Sequence, residues 1–105
     1  MVGGMGKAMK QIQKMQADMM KMQEELGEKT VTASAGGEVV VVEVDGHRKL
    51  RSIEVKPEVV DPDDIETLQD LLLVAVNEGL RKAEEMAAEE MKKITGGMKL
   101  PPGLF

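Results

Sequence analysis

Residues 5–26 read MGKAMKQIQKMQADMMKMQEEL, and this stretch predicts an amphipathic helix at the start of the fold. Apolar side chains recur every three or four residues, which places them along one face of a helix. We expect this apolar seam to be buried in a core or a dimer interface, with a groove for client proteins as the alternative. The seam consists of Met5, Met9, Ile12, Met15, Met19, Met22 and Leu26.

A row of lysines lies on the other side of the same helix. At about 100° per residue the row fills an arc of roughly 60°, away from the methionines. Lysines near a helix N-terminus oppose the helix dipole, at a cost of about 0.3–1 kcal/mol. This placement hints at an anionic partner. The row consists of Lys7, Lys10, Lys14 and Lys21.

Ordinary salt bridges are the competing interpretation of the lysine row. Asp18 follows Lys14 by four residues, and Glu25 follows Lys21 by the same interval. Acids and bases at this spacing face each other on a helix. The two lysines nearer the N-terminus have no acid four residues on, so they are the better candidates for phosphate contact.

Three segments after this helix have the patterns of β-strands. Residues 30–35 alternate polar and apolar side chains, and Gly36-Gly37 then supplies a turn. Residues 38–44 contain four consecutive valines and predict the central strand. Asp45-Gly46 opens the next turn, and residues 50–55 predict a third strand.

A long second helix is predicted after Pro57 ends the third strand. We expect Asp61 to cap this helix and Pro62 to take its first position. The first helix is expected to follow a loose lead-in at Gly3, Gly4 and Gly6 and to end at Gly27. Gly96-Gly97 is expected to end the second helix. One apolar face runs along the second helix through Ile65, Leu68, Leu72, Val76, Leu80, Ala83, Ala87, Met91 and Ile94.

These elements predict one α+β domain over residues 1–105, with flexible ends at about 1–6 and 98–105. An N-terminal helix, a three-stranded antiparallel sheet and a long C-terminal helix follow in order. Helices of about 33 and 50 Å overhang strands of about 20–23 Å, so their apolar faces need a partner. A second copy is the simplest one, in an intertwined or tweezer-like homodimer. The expected interface residues are Met15, Met19, Met22, Leu72 and Val76.

Composition argues against several kinds of protein. The chain has no cysteine, which removes disulfides, thiolate zinc sites and thiol nucleophiles. Ser34 and Ser52 have no adjacent base, and no glycine-rich phosphate loop occurs. We expect no enzymatic activity, cofactor, metal or small-molecule substrate. The longest apolar run, residues 71–76, is too short to cross a bilayer, so we expect a cytoplasmic protein without a membrane partner.

Charge is distributed unevenly in this acidic chain, whose net charge is −5. Residues 1–23 hold four lysines and one aspartate, whereas residues 57–78 hold seven acids and no base. Such asymmetry permits a basic surface on an acidic protein. The role of the acidic stretch stays open.

Two further groups of basic residues are weaker candidates for contact with an anion. On the second helix, acids interleave with the bases, so a salt-bridged surface is the favoured interpretation. At the predicted hairpin tip we expect a solvated histidine and no metal. The helix group consists of Arg81, Lys82, Lys92 and Lys93, and the tip group of His47, Arg48, Lys49 and Arg51.

Six segments carry words that occur together in one bacterial family: Gly4-Met5-Gly6, Met9-Lys10-Gln11-Ile12-Gln13-Lys14-Met15-Gln16, Val44-Asp45-Gly46, Ile53-Glu54-Val55-Lys56-Pro57, Thr95-Gly96-Gly97-Met98 and Leu100-Pro101-Pro102-Gly103. In these segments the chain resembles the YbaB/EbfC family of bacterial nucleoid-associated proteins. The resemblance implies a small cytoplasmic homodimer that binds DNA and coats or organises the nucleoid, with paired helices projecting like tweezers. It does not assign DNA contacts to particular residues.

We therefore expect a homodimer that binds double-stranded DNA with low sequence specificity, through lysine–phosphate contacts. The alternative is a prefoldin-like chaperone or protein-binding adaptor that uses its Met-rich helices. Three predicted strands, rather than a two-stranded hairpin, and the Leu-Pro-Pro-Gly segment argue against that alternative. Preferred DNA sites and higher oligomers are left open.

Overall fold

The computed structural model describes the backbone of residues 2–95 and the side chains of residues 6–94. A helix, three strands, a short 3-10 turn and a long helix follow one another, which confirms the predicted α+β order. The molecule is elongated, with extents of 75 × 26 × 16 Å. The elements are α1 (Val2–Glu28), β1 (Thr30–Ala35), β2 (Val40–Asp45), β3 (Leu50–Val55), the 3-10 turn (Pro57–Val59) and α2 (Ile65–Thr95).

The three strands form an antiparallel sheet in the order β1-β2-β3, with β2 in the centre as predicted. Strands β1 and β3 have the predicted bounds. Strand β2 begins at Val40 rather than at Glu38 because Gly36, Gly37 and Glu38 all have positive φ, at 63°, 70° and 70°. That left-handed backbone belongs to the turn and cannot continue a strand.

Helix α2 lies across β1 and β2 and closes the core. Val40, Val42 and Val44 on β2 are fully buried beneath it. The helix approaches closely at Gly79, where a Cβ atom would lie only 2.8 Å from Val44 Cγ2. A glycine inside a helix lowers helix propensity, but here it permits close helix–sheet packing.

Strand β3 keeps its core-side face largely uncovered, because α2 packs mainly on the other two strands. Ile53 stands directly opposite Val42 and therefore shares the buried face of the sheet. Its side chain nevertheless remains 44% exposed, and Leu50 remains 42% exposed. This uncovered face is an apolar surface on a single chain.

The predicted start and end of α1 were wrong. The helix includes Gly3, Gly4 and Gly6, and it continues through Gly27 to Glu28. It needs no glycine cap, since the Gly46 N–H donates hydrogen bonds to the carbonyls of Leu26 (2.8 Å) and Lys29 (3.0 Å). A distant turn therefore satisfies carbonyls that a cap normally serves.

The predicted cap of α2 was also wrong. Asp64, not Asp61, caps the helix: its carboxylate accepts hydrogen bonds from the Thr67 N–H (3.4 Å) and hydroxyl (2.7 Å). Asp61 instead accepts a bond from the Asp63 N–H (2.9 Å), which closes a turn around Pro62 before the helix begins. The predicted helix end at Gly96-Gly97 lies outside the described residues, as do the tail that follows and the Met5 side chain.

Candidate nucleic-acid interface

The N-terminal part of α1 forms an arm that is progressively less buried toward its start. Met22 and Leu26 are 5% and 3% exposed, whereas Met9 and Ile12 are 60% and 57% exposed. A cleft of about 560 Å³ separates the arm from the end of α2, and Ile12, Met15 and Ile94 line it. We call residues 6–21 of α1 the arm; about 24 Å of helix corresponds to this length.

The arm carries the predicted lysine row on its exposed surface. Neither the Lys14–Asp18 nor the Lys21–Glu25 pair is formed. Within the part of the chain that the structure describes, none of the four ammonium groups has an ion-pair or hydrogen-bond partner. The row is therefore a set of solvated positive charges. Its members, Lys7, Lys10, Lys14 and Lys21, are all exposed.

The basic residues of α2 are engaged within the chain, which confirms the predicted salt-bridged surface. Arg81 forms ion pairs with Glu78 and, at 2.6 Å, with Glu85. The hydrogen bond from Arg81 lowers the pKa of the Glu78 carboxyl below its ordinary value. Further along the helix, the nearest carboxylate oxygens lie 3.6 Å from Lys92 and 3.2 Å from Lys93. Lys82 donates instead to the Thr32 carbonyl at 3.0 Å.

A cluster of charged side chains ties the base of the arm to α2. Glu90 accepts hydrogen bonds from Lys29 (2.8 Å) and Lys93 (3.2 Å). The hydrogen bond from Lys29, followed by that from Lys93, lowers the pKa of Glu90, and the same contact with Glu90 raises the pKa of Lys29. These pairs hold the end of α1 against the last turns of α2.

The β2–β3 turn supplies a second attachment for α1, centred on a buried aspartate. Asp45 is fully buried and accepts hydrogen bonds from the N–H groups of His47 (2.8 Å) and Lys49 (3.0 Å). Its other oxygen accepts from Arg51 Nε at 2.8 Å. These donors, led by the Lys49 N–H, lower the pKa of Asp45, so the carboxylate stays charged inside the fold.

The same turn directs cationic and polar groups at the C-terminal end of α1. Arg51 donates to the Gly27 carbonyl at 3.2 Å, and His47 Nε2 lies 2.6 Å from the Gln23 carbonyl oxygen. Helix α1 has no basic residue in its own last turn, so Arg51 supplies the favourable charge there. Arg48 pairs with Glu84 at 2.8 Å. The predicted basic tip thus has mainly structural contacts, and apart from the Asp-Gly pair no sequence pattern indicated them.

The predicted interface residues occupy different environments in the single chain. Met22 is buried, and Leu72 and Val76 pack against the chain's own core while staying partly exposed. Met15 and Met19 on the arm are half-buried. Other apolar side chains are more exposed than these predicted residues. They are Met9, Ile12 and Met20 on the arm, Leu50 and Ile53 on β3, and Leu73 and Val74 on α2.

The described residues contain neither a metal-binding cluster nor a membrane-spanning helix. Over the described residues, no group of three or more His, Asp or Glu side chains is arranged to hold a metal ion. None of the helices in that range is long and apolar enough to cross a membrane.

The fold defines an α+β protein whose first helix carries its positive charge on the arm. The chain belongs to the YbaB/EbfC DNA-binding family, whose model matches residues 1–98. It is 60% identical over 105 residues to a nucleoid-associated protein of Desulforamulus reducens, covering 100% of this chain and 99% of that protein. A nucleoid-associated protein of Acetivibrio thermocellus is 59% identical over 103 residues, covering 98% and 91% of the two chains.

A solved structure shares the fold. The crystal structure of the uncharacterized protein HP0035 from Helicobacter pylori superimposes with a TM-score of 0.66, at 23% sequence identity. The match covers 92% of this chain and 91% of that one. The order of helices and strands is therefore shared at low sequence identity.

Proposed function

We propose that this protein binds double-stranded DNA with low sequence specificity, as a homodimer, through lysine contacts to phosphate. The observation that carries the proposal is the lysine row of the arm, which has no partner within the described residues. The α2 bases, in contrast, are engaged in ion pairs or, at Lys82, in a hydrogen bond. Membership of a DNA-binding family supports DNA as the anionic partner. The proposed contacts are Lys7, Lys10, Lys14 and Lys21, with Arg81, Lys82, Lys92 and Lys93 as weaker ones.

Low specificity follows from the side chains that the arm offers. A lysine ammonium is a point charge that contacts phosphate well, but it lacks the planar fork with which arginine reads guanine. Helix α1 contains no arginine and no aromatic side chain that could wedge between bases. Phosphate contacts alone position a protein on DNA without reading sequence.

The homodimer is supported by the apolar surface that one chain leaves exposed. We place the contact on the uncovered face of β3, at Leu50 and Ile53, and on the arm seam at Met15 and Met19. Met22, Leu72 and Val76 then support the interface from within each chain's core. Two arms in one dimer would present the lysine rows to the same duplex.

The names of the relatives support a place in the nucleoid, within the cytoplasm. We assign the protein no catalytic activity, cofactor or small-molecule substrate. Its proposed role is to coat or organise DNA rather than to transform it.

A titration of two unrelated duplexes at two salt concentrations tests the proposal. Both duplexes should bind with similar affinity, and binding should weaken steeply with salt because lysines release counterions from DNA. A client-aggregation assay is run beside it. Failure to bind DNA at low salt, together with suppressed client aggregation, would favour the prefoldin-like alternative.

A further inference from the structure

The first half of α2 exposes apolar side chains on the side away from the sheet. Leu73 is 62% exposed and Val74 is 58% exposed, although the next residue, Ala75, is fully buried against the core. Two exposed acids, Glu66 and Asp70, lie on the same side of the helix in the two turns that precede this pair. We call this surface the acidic face; it consists of Glu66, Asp70, Leu73, Val74 and Asn77.

The acids of this face have no cation of their own. Within the described part of the chain, neither Glu66 nor Asp70 forms an ion pair. The surrounding stretch, residues 57–78, contains no Lys or Arg. A partner that fits must bring positive charge together with aliphatic carbon for the two exposed apolar side chains.

We propose that the acidic face docks the lysine row of the arm of another copy of this chain. The two surfaces match in charge and in spacing. Glu66 and Asp70 are four residues apart on a helix, as are Lys10 and Lys14, so each pair is separated by about 6 Å along its axis. The four-carbon stems of the lysines would cover Leu73 and Val74 while the ammonium groups reach the carboxylates.

Geometry makes this contact intermolecular. Ile94 lies beside Ile12 and Met15 on the chain's own arm. Glu66 lies 28 residues before Ile94 on the same helix, at a distance of about 42 Å along the axis. An arm that already lies beside the far end of α2 cannot reach its own acidic face. The contact joins two different surfaces, so it can extend beyond a closed dimer.

The proposal predicts competition with DNA. The lysines that would dock on the acidic face are the same lysines that we propose contact DNA. The predicted competition therefore rests on the proposed function. Phosphates and the carboxylates of the acidic face would then exclude each other from the lysine row. Self-association without DNA does not depend on the proposed function, so failure of either idea can be recognised separately.

Sedimentation velocity of the full chain without DNA tests the docking. Species larger than a dimer should form at about 0.01 M salt, where the Debye length is roughly 30 Å, and should disappear at about 1 M. The variant Glu66→Gln/Asp70→Asn should lose these species, as should Lys10→Gln/Lys14→Gln. The matched control, Glu24→Gln/Glu54→Gln, removes the same charge from exposed positions elsewhere and should keep them.

DNA affinity at low salt gives the second measurement. Neutralising the acidic face should tighten binding by about 1.4- to 5-fold per carboxylate, the range of exposed ion pairs, beyond any change in the control. Wild-type protein without larger species at low salt would overturn the proposal. Equal loss of these species in the acidic-face variant and the control would also overturn it, since net charge alone would then explain the association.

Discussion

The Lys29 ammonium lies 2.8 Å from the Glu90 carboxylate and joins the end of α1 to the last turns of α2. The two residues are separated by 61 positions in the sequence, so the pair fixes one helix relative to the other. Glu90 also accepts a bond from Lys93, one turn further along its own helix. The position of the arm depends on this cluster and on the β2–β3 turn.

Replacing Glu90 by Gln should lower the thermal midpoint at neutral pH. The pKa of Glu90 is lowered in the folded chain, first by the hydrogen bond from Lys29. The ionised carboxylate therefore stabilises the fold above the unfolded-state pKa of about 4.3. This stabilisation is lost as the pH falls through the lowered pKa of the folded state. The difference between wild type and variant should therefore shrink in acid. Melting curves by circular dichroism at several pH values measure it, with Glu89→Gln as the exposed control. A difference that stays constant in acid would contradict the prediction.

Replacing Gly46 by Ala should destabilise the fold by about 1–3 kcal/mol. A Cβ atom at this position would overlap the backbone carbonyl of Leu26 and approach Leu26 Cβ to 2.8 Å. The turn would then move away from the end of α1 and weaken its hydrogen bonds. Urea denaturation gives the free energy of unfolding. Gly6→Ala is the control. Gly6 lies in α1, and a Cβ atom there would meet only open space, so this change should stabilise the fold by up to about 1 kcal/mol.

The sequence predicted those elements whose pattern is local. Alternation set the bounds of β1 correctly, the Asp45-Gly46 turn and Pro57 delimited β3, and valine content identified β2 as central. The errors occurred where a distant group satisfies the backbone: α1 continues through Gly27 because Gly46 reaches its carbonyls. The lysine row was visible from helical spacing, but its lack of partners was not. Spacing allowed salt bridges that the folded chain does not form.

Replacing Ile53 by Asp should dissociate the proposed homodimer. A carboxylate without a partner in an apolar interface costs several kcal/mol. The Ile53 side chain is 44% exposed in the single chain, so the substitution should leave the fold of each chain intact. Light scattering measures the mass, and circular dichroism confirms folding. Ser34→Asp, on the exposed opposite face of the sheet, is the control and should remain dimeric.

Two further substitutions test the predicted interface. Met15→Asp should dissociate or unfold the dimer, while Leu72→Asp should unfold the chain itself. A wild-type monomer at micromolar concentration would refute the interface.

Deleting residues 99–105 should leave the fold intact. The segment contains Leu100, Leu104 and Phe105 but lies outside the described residues, and the valines and alanines described between α2 and the sheet already form a buried core. We predict that the segment docks only partly or contacts a partner. The thermal midpoint of the truncated protein measures this. A large loss of stability would show that Phe105 belongs to the core.

The lysine row gives a quantitative prediction for DNA binding. A dimer presents up to eight of these lysines, but Asp18 and Glu25 lie on the same face and repel phosphates near Lys14 and Lys21. We expect about four productive contacts and a slope of log affinity against log salt near −3 to −4. Fluorescence anisotropy on two unrelated duplexes measures both the affinity and the slope.

Changing Lys7 and Lys10 to Gln should weaken binding to both duplexes about equally and make this slope shallower, because fewer counterions are released. The same change at Lys92 and Lys93 should matter less, since Glu89 and Glu90 already pair with those bases. Both variants remove the same charge, so the comparison separates a phosphate contact from an effect of net charge. Circular dichroism must show that each variant is folded. Unchanged binding by the arm variant would exclude Lys7 and Lys10 as contacts, and equal losses in both variants would mean that the whole basic surface, rather than the arm, attracts DNA.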